Sequence, residues 1–397
     1  MKPNKTFSKL LTIQFIVSLF SISIFLLGLF FFQDRLKDFN KTRMAYKRFF
    51  DKSHIESKAT LSIRKVQLPK RLKNIPFGEE DHLVLRTKRV SIRNVIAPYN
   101  ASIIKYKKGY LMCFRYDIPS KHTYSSHIGC VKLDAHFNQM DQEFKTIDTG
   151  FKRSEDPRIF SIGQEVYLLY STSEFLKYFL PFPFISTVNV SKLDVNKCKL
   201  QFTTSLELNL SLTEKNWVPF EYVDAQNHPH FYLQYSVNPH KILHLPDPKV
   251  NHILHSTLPK SDSLQLFLWE NKHFGWGSLR GGTPALKIGD EYLAFFHSCF
   301  QDSKGLVWYN MGAYTFEAHP PFRITSISPY PILFKGIYSS ISLNAADPQR
   351  YVIFPVGFVI EEEEGKEIIH LSCGENDSSI KIITLDKAKL LKTMQKI

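Results

Sequence analysis

The stretch Ser154-Glu155-Asp156-Pro157-Arg158-Ile159-Phe160 sets two carboxylates, a proline and an arginine side by side, and Gln164 to Tyr170 follows as an alternating apolar run. The proline ring locks its own φ and period-two alternation marks a strand. The Asp156 carboxylate and the Arg158 guanidinium therefore form a charged pair on a rigid edge. A carboxylate held that way has the chemistry of a proton donor or acceptor. A plainer reading is an Asp-Pro turn that opens a strand. What separates the two is that the chain repeats the layout.

Each copy begins with a polar or small group and a short apolar run, turns at Gly, Asp or Asn, and returns as a second apolar strand. The other four are Asn100 to Ile104 with Gly109 to Arg115, Asn216 to Phe220 with Phe231 to Ser236, Gly282 to Leu286 with Glu291 to His297, and Val352 to Gly357 with Ile368 to Ser372. Their starts lie about 56 to 70 residues apart. That is longer than a common propeller repeat of about 40 to 50, but it suits a four-stranded blade with long loops. The fold expected is all-β, a five-bladed β-propeller over residues 81–397 closed by a short helix within Asp386 to Ile397. A β-sandwich with unrelated hairpins is the alternative.

If the first strand of every blade lines one axis, residues far apart in sequence meet at one mouth. Asn100, Asp156, Asn216 and Thr283 then face one another, ringed by Arg115, His297 and the Gly374-Glu375-Asn376-Asp377 turn. A funnel with carboxylates, guanidinium groups and aromatic walls suits a sugar, which offers apolar ring faces and hydroxyls that need paired donors and acceptors.

These residues carry a resemblance. Glu155-Asp156-Pro157-Arg158, with Asn100-Ala101-Ser102-Ile103 and Arg115 before it and Arg280-Gly281-Gly282-Thr283-Pro284-Ala285 and Gly374-Glu375-Asn376-Asp377 after it, resembles glycoside hydrolase family 130 and the related glycosyltransferase family 108. Those are β-mannoside phosphorylases and β-1,2-mannosyltransferases on a five-bladed propeller, and the likeness spans about residues 85 to 390. It implies an inverting transfer with Asp156 as general acid, its proton relayed to the glycosidic oxygen through a sugar hydroxyl. Inverting hydrolysis needs a second carboxylate to activate water; phosphorolysis or transfer to a sugar needs one acid. Glu155, Glu214, Glu375 and Asp377 are the candidates for a second.

Arg115, Arg158, Lys215 and Arg280 are candidates to hold phosphate or a nucleotide diphosphate, arginine by bidentate bonds and lysine as a point charge. Asn100, Asn216, Thr283 and Asp377 are candidates for sugar hydroxyls. His240 and His297, each near the end of a second strand, read equally as substrate contacts or as satisfied structural histidines. Trp217, Trp276 and Tyr232 could stack on sugar rings, although core packing is the commoner use of such residues. Glu361 to Glu364 reads as a hairpin tip in solvent. The sequence contains no Asp-x-Asp triplet and no C-x-x-C pair, so no metal and no cofactor is expected, only phosphate or a nucleotide-sugar as co-substrate.

The net charge of +14 is concentrated: residues 34–93 hold seventeen Lys/Arg against seven Asp/Glu. No basic stripe with stacking aromatics follows, which excludes a nucleic-acid reading and favours a basic segment near anionic lipid. Leu10 to Phe32 is free of charge and long enough, at about 1.5 Å per residue, to span a bilayer. The organisation expected is a cytoplasmic tail (1–9), a transmembrane anchor (10–32), a basic stem (33–80) and the propeller (81–397). The positive residues after the span argue for a cytoplasmic body. The Asn-x-Ser/Thr pattern at Asn40, Asn100, Asn189, Asn209 and Asn376 argues for a lumenal or extracytoplasmic one, and the type II arrangement is preferred on that count.

The function expected is a membrane-anchored glycosyltransferase or glycoside phosphorylase acting on β-mannosides or related glycans. A hydrolase of the same fold, or a propeller that only binds glycan or a protein partner, is the alternative.

Overall fold

Apolar runs such as Tyr110-Leu111-Met112-Cys113-Phe114 are buried along their whole length, because both faces of the strand are covered. Alternate side chains of a strand point to opposite faces; here Tyr110, Met112 and Phe114 enter one core, and Leu111 and Cys113 enter another. The same split recurs at Tyr292, Ala294 and Phe296 against Leu293 and Phe295. Sheets packed face to face on both sides account for the high aromatic content and for strands that lack polar alternation.

The computed structural model describes residues 66–397 apart from 120–123, 176–183, 209, 210, 212 and 342–349. The chain enters through a short helix α1 (Lys70–Lys73) and strand β1 (Val84–Val90). The first sheet is β2 (Tyr99–Tyr106), β3 (Gly109–Pro119), β4 (Tyr124–Leu133) and β5 (Lys145–Ile147). The second is β6 (Ser154–Ile162), β7 (Glu165–Phe175), β8 (Phe184–Asp194) and β9 (Lys199–Leu206). The third is β10 (Val218–Val223), β11 (Pro229–Ser236), β12 (Lys241–Leu245) and β13 (Leu254–Thr257), followed by helix α2 (Leu264–Glu270). In the fourth, β14 (Arg280–Gly281) and β15 (Leu286–Ile288) both pair with β16 (Glu291–Gln301), which leads to β17 (Val307–Glu317) and β18 (Ile324–Ile327), with β19 (Arg350–Tyr351) alongside β17. The fifth is β20 (Ile353–Glu363), β21 (Lys366–Glu375) and β22 (Ser379–Asp386), after which come helix α3 (Lys387–Thr393) and strand β23 (Gln395–Lys396) on β18.

Five apolar cores lie between successive sheets: first with second, second with third, third with fourth, fourth with fifth, and fifth back with first. The series returns on itself, which is a β-propeller. β1 pairs with β22, from Val84 opposite Leu385 to Val90 opposite Ile380, so the N-terminal strand completes the sheet made by the C-terminal ones. Closure leaves no open end to the series.

The structure departs from the sequence reading in several places. The fourth sheet has no continuous first strand: Thr283 sits in the gap between β14 and β15, and the sheet grows to seven strands. Residues 66–80, expected as the end of a stem, place Leu72 and Ile75 in the core between the fourth and fifth sheets. Glu361 and Glu363 are not loose at a hairpin tip. Glu361 accepts from the Tyr110 hydroxyl at 2.5 Å and pairs with Lys105, and Glu363 pairs with Arg86 at 2.5 Å. The closing helix is present, with the Asp386 carboxylate capping the Lys389 N–H at 2.9 Å. Among the described residues no helix is long and apolar enough to cross a membrane; Leu10 to Phe32 lies outside them.

Candidate active site

The first strands of the first, second and fifth sheets each break register at the same end, between Tyr99 and Ser102, Glu155 and Arg158, and Pro355 and Gly357. A bulge adds a residue to one strand and re-aims its side chain. At the first two breaks the extra residues include Asn100 (φ 46°) and Asp156 (φ 54°), and Asn216 (φ 65°), just before β10, has the same left-handed backbone. Asn376 and Asp377, at the turn after β21, share it too (φ 50° and 49°). Left-handed backbone at non-glycine residues carries strain and clusters where surrounding structure holds it for a purpose. Here it turns polar side chains out of the strand rows.

Asp156 Oδ1 accepts from Asn100 Nδ2 at 2.8 Å and lies 3.4 Å from Arg115 Nη1. Arg115 is shared: its Nη2 lies 3.4 Å from Glu155 Oε1, its Nε 3.4 Å from Asp117 Oδ1, and its Nη2 donates to Ser126 Oγ at 3.0 Å. Its guanidinium lies over the Tyr99 ring, 5.0 Å from the centroid, and the Tyr99 hydroxyl donates to Asp117 Oδ2 at 2.8 Å. Lys215 Nζ donates to Glu155 Oε2 at 2.7 Å. Burial alone would raise the pKa of both acids, but the cations outweigh it. Asp156 is held below its usual range by Arg115, Lys215, the Asn100 bond and Arg158. Glu155 is held down by Arg115 and Lys215. Asp377 behaves oppositely: burial, reinforced by Asp156 and Asp117, pushes it up to about 6 against the pull of Arg115 and Arg350.

Arg158, a candidate to hold phosphate, is buried, and its Nη2 has no hydrogen-bond partner among the described residues. Its Nε donates to the Gly282 carbonyl at 2.6 Å and its Nη1 to the Asp156 carbonyl at 3.2 Å, and burial brings its pKa down to about 10. It braces β6 against the 281–283 stretch. Thr283 is spent on the backbone, its Oγ1 accepting from the Phe295 N–H at 3.0 Å. His297 is buried beside Phe354, with ring centroids 4.5 Å apart, and its pKa is driven far down by burial and then by Arg280 and Arg158. Arg280 itself is exposed, opposite His297 in the β14–β16 pair.

His240 does not join this group. Its Nδ1 is 2.7 Å from the Phe322 carbonyl and its ring packs edge-on to Phe316, so it is a core histidine. Trp217 is buried with its indole N–H on Glu214 at 3.3 Å, Trp276 packs on Trp269, and Tyr232 stacks on His244. Of the proposed second carboxylates, Glu214 is therefore engaged, as is Glu375, which accepts from the Ser340 N–H at 3.1 Å and from Lys381 Nζ at 2.8 Å. Asp117 was not foreseen. Its signal was available, since Arg115 and Asp117 alternate along β3 and so share a face.

The profile of glycoside hydrolase family 130, described as β-1,4-mannooligosaccharide phosphorylase, matches residues 68–396. The chain belongs to glycoside hydrolase family 130. No curated protein matches it by sequence. Among solved structures, a β-1,2-mannobiose phosphorylase from Listeria innocua, in complex with β-1,2-mannobiose, is 16% identical over 79% of this chain and 97% of its own, with a TM-score of 0.51. A glycosyl hydrolase from Bacteroides ovatus is 13% identical over 82% of this chain and 95% of its own, with a TM-score of 0.50. At such identities the two show the shared fold. Family 130 is a family of carbohydrate-active enzymes, and the buried cluster around Asp156 is this member's candidate active site.

Proposed function

We propose that this family 130 member is a five-bladed propeller enzyme that moves a mannosyl-type group from a β-mannoside to phosphate, with inversion, and that Asp156 is its acid. The observation that carries the reading is the setting of Asp156. Both hydrogen bonds described for its side chain fall on Oδ1, leaving Oδ2 for a proton or a sugar hydroxyl. At rest the group is a carboxylate, and Arg115 and Lys215 keep it so. Phosphate is an anion that would draw on the same cations. Its arrival weakens their hold, raises the affinity of Asp156 for a proton and couples acid formation to binding of the nucleophile. The proton then passes through a sugar hydroxyl to the glycosidic oxygen while phosphate attacks the opposite face. Arg115, Lys215 and Arg280 supply the positive charge, and Asn100, Asn216 and Asp377 face the sugar.

The test is turnover of β-mannosides by the full chain with and without phosphate. Mannose 1-phosphate formed only with phosphate is expected. Free mannose without phosphate would replace this reading with hydrolysis, for which Asp377, with its raised pKa, is the available base. Transfer from a nucleotide-sugar to mannose would make the chain a transferase.

We also propose, on the sequence of Leu10 to Phe32, that the chain is anchored in a membrane. The glycosylation argument for a lumenal body is weakened, because Asn100, Asn189 and Asn376 are buried in the fold. It rests on Asn40 and Asn209, and protease protection of sealed vesicles decides the side.

A further inference from the structure

The two faces of α2 have different fates. Leu266 and Trp269 are fully buried between the third and fourth sheets, while Leu264 and Phe267 are 61% and 55% exposed. Phe274, four residues past the helix, is 52% exposed and stands edge-on to Phe267 with 6.0 Å between ring centroids. Three large apolar side chains thus share one exposed face, a grouping that in a folded chain marks a contact surface. Lys260, Lys272 and His273 are exposed close by in sequence; Asp262 is exposed there too, and Glu270 lies 3.6 Å from Lys260.

Helix α1 meets the body at the same place. Arg71, in α1, donates to the carbonyls of Gly275 at 2.7 Å, His273 at 2.7 Å and Lys272 at 3.1 Å, and the Trp276 indole donates back to the Arg71 carbonyl at 3.4 Å. The stretch 70–73 therefore lies beside Phe274, and Lys70 and Lys73 in it are exposed. Residues 34–65 ahead of it hold ten Lys/Arg and four Asp/Glu.

We propose that Leu264, Phe267 and Phe274, with Lys70, Lys73, Lys260 and Lys272, rest on the surface of an anionic lipid bilayer, holding the body against the membrane that anchors it. Apolar side chains enter the boundary between headgroups and acyl chains while lysines stay among the phosphates, the arrangement of interfacial helices. A second copy is the poorer occupant, because a two-fold contact would set this cationic margin against itself. The proposal rests on the anchor reading, and the test separates the two.

The full chain is reconstituted into vesicles of phosphatidylcholine with about one third phosphatidylserine, with phosphatidylcholine acyl chains either brominated or plain. Three proteins are compared: the unaltered chain, Phe274→Trp, and Met140→Trp as a control at an exposed site in the loop between β4 and β5. The expected result is that the chain floats with the vesicles, and that bromine removes the emission added at position 274 but not that added at 140. Omitting phosphatidylserine lessens the quenching at 274. Flotation without quenching at 274, or with equal quenching at both positions, overturns the docking surface and leaves the anchor. A chain that does not float overturns both.

Discussion

Asn100 and Asp156 lie 56 residues apart in sequence and share a 2.8 Å hydrogen bond, Nδ2 to Oδ1, between the first strands of adjacent sheets. Both have left-handed backbone at a break in strand register. The pair exists only because two sheets converge with their bulges level, so the propeller itself assembles the candidate acid. Asp156→Asn keeps the shape and removes the titrating group. Turnover of a β-mannoside with phosphate should fall about 10²- to 10⁴-fold, the usual worth of a positioned acid. Affinity for the sugar, measured calorimetrically on the same variant, should change far less. Unchanged turnover would remove Asp156 from the chemistry.

Gly374 offers a second route to that pair. A Cβ built there would stand 1.9 Å from Asn100 Oδ1 and 2.8 Å from the Asn100 nitrogen, so even alanine must displace Asn100. Gly374→Ala should lower turnover as Asn100→Ala does, by an amount typical of a lost positioning contact, about 10- to 100-fold. Combining the two should cost little more than either alone, since both act through the same side chain. A multiplicative loss in kcat/KM for the double variant would place the glycine's effect elsewhere.

The apolar runs and turn residues revealed the repeated sheets, because buried strands and Gly or Asp turns leave local marks. The closure by β1 left no mark of this kind, since Val84 to Val90 contains four charged or polar residues and pairs with a strand about 300 residues away. In the site, Asp156, Asn100 and Arg115 were legible from their places at strand ends. The bond from Arg158 to the Gly282 carbonyl was not, because only tertiary packing brings the two together. His240 misled for a related reason: a histidine at a strand end looks the same in sequence whether it faces a mouth or, as here, the Phe322 carbonyl. The buried asparagines at 100, 189 and 376 show the same limit, since a glycosylation pattern carries no record of burial.

Glu155 tests how far the ion network holds the fold. Its two oxygens are divided between Arg115 at 3.4 Å and Lys215 at 2.7 Å, and its side chain is 7% exposed. Lys215→Met leaves a buried carboxylate with one of its two cations. With the Lys215 side chain 30% exposed, solvent moderates the loss to about 1–3 kcal/mol of unfolding free energy. Adding Glu155→Gln to Lys215→Met should recover part of it, because no unpaired charge then remains. Urea titration of the four proteins in the cycle measures the coupling, and strict additivity would mean that the pair contributes nothing.

Asp377 supplies a pH test with a definite sign. Burial raises its carboxyl to about 6 in the fold, above the roughly 3.9 of an unfolded chain. The folded state therefore binds this proton more tightly than the unfolded state does. The resulting stability is fully present below about pH 4 and is lost as pH rises towards 6. Asp377→Asn cannot titrate, so its unfolding free energy relative to the unaltered chain should rise between pH 4 and pH 6 and level off above. A shift of about 2 units corresponds to about 3 kcal/mol, and partial exposure of the group brings the expected rise to about 1–3 kcal/mol. Denaturant titrations at pH 4, 5, 6 and 7 measure this difference, in which the other titrating groups largely cancel. A difference that stays constant across the window would mean that Asp377 ionises as it does in water, and would take from it the role of a base poised near neutrality.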